Sequence, residues 1–269
     1  MNENLVRHLI AAVTVAVLVA VGPACTRQGD EASGVAAARV SPTVELFPTA
    51  SGSVLPTPGP SPSTARAPRE LPARFRGTVS RIPKALAAAM RGTTWHPGCL
   101  VPLGDLRLLT LRYWGFDGRV HEGPMVINAS VADDVVSAFR QIFRAHFPIK
   151  KIRLARRYRP GHDDPTDRSD FSAGFNCRPA VTARGPLSNW SQHAYGLAID
   201  INPIQNPYVT SDGFIRNYHA RRYRDRSQRL RGMIHPGDAV VRAFESIGWH
   251  WAGDWSTDKD YMHFSLSGN

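Results

Sequence analysis

The sequence predicts an α+β domain whose central sheet is mainly antiparallel, carries the functional cluster and is flanked by helices. Two features lead to that class. Helical and strand-like segments alternate only loosely, without the strict strand–helix rhythm of a parallel sheet. The clearest strand-like runs form a hairpin-like pair: Leu106 to Tyr113 and Val120 to Ile127 flank the turn residues Phe116-Asp117-Gly118. A third feature sets the boundaries. The chain has 269 residues, ample for one sizeable core, but its N-terminal part does not read as core.

At the N-terminus, Arg7 and His8 precede an apolar run from Leu9 to Val21, too short to span a bilayer comfortably. Gly22-Pro23-Ala24-Cys25 follows, small residues of the kind found where a signal peptide is cleaved. Cys25 resembles a bacterial lipoprotein acylation site, with Gly22 where Leu is usual. Residues 1–25 are therefore read as an export signal, leaving the chain either tethered by lipid at Cys25 or cleaved and secreted. Residues 26–78 are rich in Pro, Ala, Ser and Thr, as in Pro56-Thr57-Pro58-Gly59-Pro60. Such a stretch buries too little apolar surface to offset the entropy of ordering and reads as a linker. The folded domain is assigned to residues 79–269.

Within it, Ile82 to Met90 is Ala-rich and stopped by Gly92, a short helix. After the hairpin, Ser130 is expected to cap a helix whose first turn carries Asp133 and Asp134, suited to the positive end of its dipole. Val131, Val135, Val136, Phe139, Ile142 and Phe143 recur at helical spacing, and Pro148 closes the segment. Ile149 to Leu154 is expected to be a strand. The following polar loop, with Asp163, Asp164, Asp167 and Asp170, reads as solvated surface. Leu197, Ile199 and Ile201 alternate with Ala198, Asp200 and Asn202, giving a strand with one apolar and one polar face. Arg216 to Arg231 holds seven arginines with little apolar periodicity. Ala239, Val240, Ala243, Phe244 and Ile247 form a last amphipathic helix ended by Gly248, and Met262 to Leu266 is the closing strand.

Two polar clusters stand out. His193 lies seven residues before Asp200, and Gly196 between them allows the irregular turn that convergence needs. Asp260-Tyr261-Met262-His263-Phe264 supplies a second imidazole and a second carboxylate. Two His and one Asp are the ligand types of a zinc hydrolase, which keeps its fourth position open for water. Asp260 is then placed to act as the base. Of three cysteines, setting Cys25 aside leaves Cys99 and Cys177, which an exported chain is expected to pair.

Ser191-Gln192-His193 with Gly196, Ala198, Asp200 and Asn202, followed by Asp260-Tyr261-Met262-His263-Phe264, resembles the VanY-type D-alanyl-D-alanine carboxypeptidase family of zinc peptidases. That family shares its fold with the Hedgehog signalling domain. The resemblance covers roughly Trp95 to Leu266. It implies His193, Asp200 and His263 as Zn2+ ligands, Asp260 as the catalytic base, and Ser191 at a substrate-contacting position. It implies Arg178 as the arginine that binds substrate and stabilises charge on the scissile carbonyl oxygen. The substrates implied are peptidoglycan stem peptides. Asp260 stands where the dipeptidases and several carboxypeptidases have Glu, as in the endopeptidase branch that cuts between L-alanine and D-glutamate. Arg178 sits in Phe175-Asn176-Cys177-Arg178 where Tyr-Arg-Ser is more common. The bond cut stays open between the D-Ala-D-Ala carboxypeptidase and L-Ala-D-Glu endopeptidase types.

A catalytically silent wall-binding module of the same fold would have no need of Asp260. The net charge of +11 admits a nucleic-acid partner in principle, but export removes that partner and no stacking platform or recognition helix is visible. Anionic cell-wall polymers are the simpler partner for the charge.

Overall fold

The computed structural model describes residues 73–155 and 168–268. The expected signal, Cys25, most of the expected linker, and Asp163, Asp164 and Asp167 lie outside them. In chain order the elements are β1 (Gly77–Arg81), α1 (Lys84–Met90), β2 (Leu106–Trp114), β3 (Val120–Asn128), α2 (Ala132–Arg144), β4 (Pro179–Thr182), β5 (Gly185–Trp190), β6 (Ala198–Asp200), β7 (Tyr208–Val209), α3 (Ala239–Glu245), β8 (His250–Trp251), β9 (Lys259–Asp260) and β10 (His263–Ser265). The class is α+β, and the strands pair antiparallel throughout. They form two three-stranded sheets, ordered β1-β2-β3 and β6-β10-β8, and the pairs β4-β5 and β7-β9.

The first sheet is a meander on which α2 lies. Val135, Val136, Ala138, Phe139, Ile142 and Phe143 are the buried face of α2, the stripe expected of a helix seated on a sheet. Its far side meets α3, where Phe139 and Phe244 contact edge to face at 6.2 Å between centroids. Phe244 in turn stacks on Phe264 of β10 at 4.3 Å. Both rings are fully buried, and burial of side chains this size stabilises by about 1.5–3 kcal/mol each. One core therefore runs from β2 and β3 through α2 and α3 to the second sheet. A smaller cluster under α1 joins Met90, Val101, Leu106, Val126 and Phe175 to Cys177, and the Cys99–Cys177 disulfide closes its edge.

Asn202 ties the two halves together. Its backbone is left-handed, φ 49°, and its side chain is fully buried. Its Oδ1 accepts from the Lys150 amide at 2.8 Å, while its Nδ2 donates to the carbonyls of Pro148 and Gly232 at 2.9 and 3.1 Å. This side chain, expected on the polar face of a strand, holds three backbone groups instead.

Several expectations change. Ile149 to Leu154 is not a strand: its backbone bonds are divided among the Trp114 carbonyl, the Asn202 side chain and a single bridge from Ile152 to Ser172, so no continuous ladder forms. Asn128, not Ser130, makes the cap: its Oδ1 accepts from the Ser130 amide ahead of a 3-10 turn that leads into α2. The strand around Asp200 is shorter than its alternation suggests, spanning Ala198–Asp200. β1 was not legible, and it begins at Gly77. Among the seven arginines, Arg226 is half-buried. It donates to the carbonyls of Gln205 and Ile234 at 2.9 and 2.6 Å and covers the Tyr261 ring at 4.2 Å. Arg221, Arg222, Arg224, Arg229 and Arg231 are exposed.

Candidate metal centre

The register of β6 against β10 brings Asp200 directly opposite His263. Ile199 opposes Phe264 one residue away, and both are fully buried in the core. Side chains alternate along a strand, so Asp200 and His263 share the other face. His263 Nδ1 lies 3.1 Å from Asp200 Oδ1.

His193 arrives from outside the sheet, on a 3-10 turn, Gln192–Tyr195. The Ser191 hydroxyl caps its start, accepting from the His193 amide at 3.2 Å, and Gly196 ends it at φ 66°. A Cβ on Gly196 would fall 2.7 Å from the Asn128 amide nitrogen, and that amide donates to the Gly196 carbonyl at 3.0 Å. Only glycine meets both demands at once. The His193 ring is buried, with Nδ1 2.7 Å from the Gly174 carbonyl. A carbonyl accepts only, so the proton sits on Nδ1 and Nε2 presents its lone pair. Gly174 is the functional residue sequence reasoning missed. A Cβ there would meet the Val126 carbonyl oxygen at 2.5 Å, and the residue type was its only signal.

His193 Nε2 is buried with no hydrogen-bond partner among the described residues, 3.2 Å from Asp200 Oδ2. A lone pair and a carboxylate oxygen facing each other at that distance repel unless positive charge lies between them. One ligand atom from each of His193, Asp200 and His263 lies within 4.8 Å of the others. Ligands held tetrahedrally at zinc distances stand roughly 3.3 Å apart, close to the two separations seen. The donor set therefore fits Zn2+. Without metal, burial pushes the Asp200 carboxyl upward, but the His193 and His263 rings, once protonated, outweigh it and hold the group well below the usual carboxylate range. A second His/Cys group, His96 with Cys99 and Cys177, has both sulfurs committed to the disulfide.

Asp260 borders the cluster from β9, which pairs with β7 so that Asp260 opposes Tyr208. Its Oδ1 is buried without a hydrogen-bond partner among the described residues. Burial, and then the nearby charge of Asp200, push its carboxyl up to about 7 against the pull of His263 and Arg178. Arg178 follows the disulfide-bonded Cys177, whose amide donates to the Thr94 carbonyl at 2.9 Å. The arginine is thus held at the root of the β4–β5 hairpin. Arg178, His193, Asp200 and Asp260 line one cleft of about 420 Å³, together with Tyr208 and Arg216. Ser191 does not line this cleft. It is buried, and its hydroxyl serves the turn that carries His193.

A family model described as D-alanyl-D-alanine carboxypeptidase matches residues 184–266 of this chain. The matched stretch holds Ser191, His193, Asp200, Asp260 and His263, and it supports a peptidase of that general family; Arg178 and both disulfide cysteines lie before it. No curated protein and no solved structure matches.

Proposed function

We propose that this chain is a zinc-dependent peptidase that hydrolyses peptide bonds in peptidoglycan stem peptides, with Asp260 as general base. The observation that carries the reading is a His-Asp-His donor cluster, of which His193 and Asp200 line the same cleft as a carboxylate whose pKa is raised towards neutrality. Zinc bound by His193, Asp200 and His263 would supply Lewis acidity, polarising the scissile carbonyl and making water acidic enough to attack near neutral pH. Asp260 Oδ1 takes the proton of the attacking water and returns it to the leaving amine. Its raised pKa suits both halves of that exchange. The Arg178 guanidinium donates to the scissile carbonyl oxygen as negative charge develops there. The matched family description favours the carboxypeptidase type, while Asp in place of Glu at position 260 favours the L-Ala-D-Glu endopeptidase type. Mass spectrometry of peptidoglycan fragments incubated with the purified protein decides between them. Intact fragments with wall binding retained would instead leave a silent binding module.

The same reading places the protein outside the cell, facing the wall, tethered through a lipid on Cys25. No described helix is long and apolar enough to cross a membrane. The exposed arginines of the segment 216–231 are its surface for anionic wall polymers. No nucleic acid is involved in this reading.

Asp260 also makes a stability prediction for the protein freed of metal by a chelator. An unfolded aspartate titrates near 3.8, whereas Asp260 in the fold is pushed up to about 7. Between those values the fold binds more protons than the unfolded chain, so this group's contribution to stability falls as pH rises through that window. The metal-free Asp260→Asn protein should therefore gain on wild type in urea midpoint from about pH 4 to about pH 7 and level off above. A difference that stays constant with pH would mean that Asp260 is not held protonated.

A further inference from the structure

The cleft takes a guanidinium from each of two separate elements, and the reaction as proposed uses only one. Arg178 stands at the root of the β4–β5 hairpin, and Arg216 stands on the segment after β7. Among the described residues, the acids that line the cleft are Asp200 and Asp260, the first assigned to the metal and the second to proton transfer. The rest of the polar lining is neutral and includes Asn176, Thr182 and Tyr208.

The segment that bears Arg216 is braced. Asp258, two residues before Asp260, accepts from the Tyr208 hydroxyl at 2.7 Å and from the Ser211 amide at 2.9 Å. The Phe214 amide donates to Thr210 Oγ1 at 2.9 Å. From the other side, Arg184 at the hairpin tip pairs with Asp212 at 2.5 Å and lies over the Phe214 ring at 5.8 Å. β7, from which this segment starts, pairs directly with β9, the strand that carries Asp260. The chain that leads into Arg216 is thus anchored beside the cleft, up to Phe214.

We propose that Arg216 is a specificity-determining residue that binds a carboxylate of the substrate, so that peptides with this carboxylate free are preferred over their carboxamides. This rests on the peptidase reading and adds to it which form of the stem peptide is accepted. A stem peptide offers two such groups, the C-terminal carboxylate and the α-carboxylate of its internal γ-linked glutamyl residue. A guanidinium suits either, since it matches a carboxylate with two parallel N–H donors.

The test uses three synthetic stem peptides: one with both groups free, one amidated only at the C-terminus, and one amidated only at the glutamyl α-position. Their dissociation constants are measured by calorimetry on the zinc-loaded full chain in an Asp260→Asn background, where turnover does not consume the ligand. The Arg216→Gln and Arg216→Lys variants are made in that background, and hydrolysis by the parent enzyme is followed separately. Arg216→Gln should weaken the fully free peptide by roughly 10- to 100-fold, the range of a charge-assisted pair. It should leave unchanged the one amidated peptide that lacks the group Arg216 recognises, and that peptide names the group. Arg216→Lys should recover part of the loss. Equal weakening of all three peptides, no weakening of any, or no binding at all overturns the proposal. Selective weakening without hydrolysis by the parent enzyme keeps Arg216 as a carboxylate-binding residue and sinks the peptidase reading. Hydrolysis without selectivity does the reverse.

Discussion

The Asp260→Asn protein should bind zinc as the wild type does and release peptide at least a hundredfold more slowly. Asparagine keeps the shape of the side chain and cannot accept the proton. Asp260 reaches the cleft from β9 while the proposed ligands sit on β6, β10 and the turn before β6, so the change leaves the donor set intact. General-base assistance contributes about two to four orders of magnitude in rate, and the expected loss lies in that span. The loss should appear in kcat, with KM little moved, because the proton transfer belongs to the transition state. Hydrolysis of purified stem peptides, with zinc content measured on the same samples, is the comparison to make. Equal rates at equal zinc occupancy would remove Asp260 as the base.

Asn202→Ala should be the most destabilising single change near the site. The asparagine side chain satisfies the Lys150 amide and the carbonyls of Pro148 and Gly232 inside the protein. Alanine fills none of these roles, and each buried group left unmade costs about 1–3 kcal/mol. The left-handed backbone at φ 49° adds a smaller penalty, since asparagine tolerates that region better than alanine. A combined loss of about 3 kcal/mol or more is expected in urea unfolding of the metal-free protein. Because Asn202 follows Asp200 by two residues, zinc affinity should weaken along with stability. A loss below about 1 kcal/mol would mean that the freed groups find water or other partners.

How much of this was legible depended on whether a residue acts through periodicity or through distant contacts. The β2–β3 pair, α2 and α3 announce themselves because their apolar residues repeat at the spacing of the element they form. β1 does not: four of its five residues are exposed, so no apolar alternation marks it. Ile149 to Leu154 has apolar residues suited to a strand, but its backbone bonds are divided among Trp114, the Asn202 side chain and Ser172, partners far apart in the chain. The donor residues His193, Asp200 and His263 were named from residue type and spacing. The β6–β10 register and the Gly174 carbonyl that orients His193 could not be, since both depend on segments far apart in the chain. Ser191 is expected at a substrate-contacting position, and what the structure adds is that its hydroxyl accepts from the His193 amide at the start of the local turn. Arg226 is like the six neighbouring arginines in sequence, and only the carbonyls it bonds and the Tyr261 ring set it apart.

Zinc per folded chain, measured by elemental mass spectrometry on wild-type and His193→Ala proteins after loading and desalting, tests the central claim most directly. The account predicts one zinc per wild-type chain. It predicts almost none in His193→Ala, with the circular dichroism of the two metal-free proteins alike. A wild-type chain that retains no zinc, or a folded His193→Ala chain that retains a full equivalent, would contradict it.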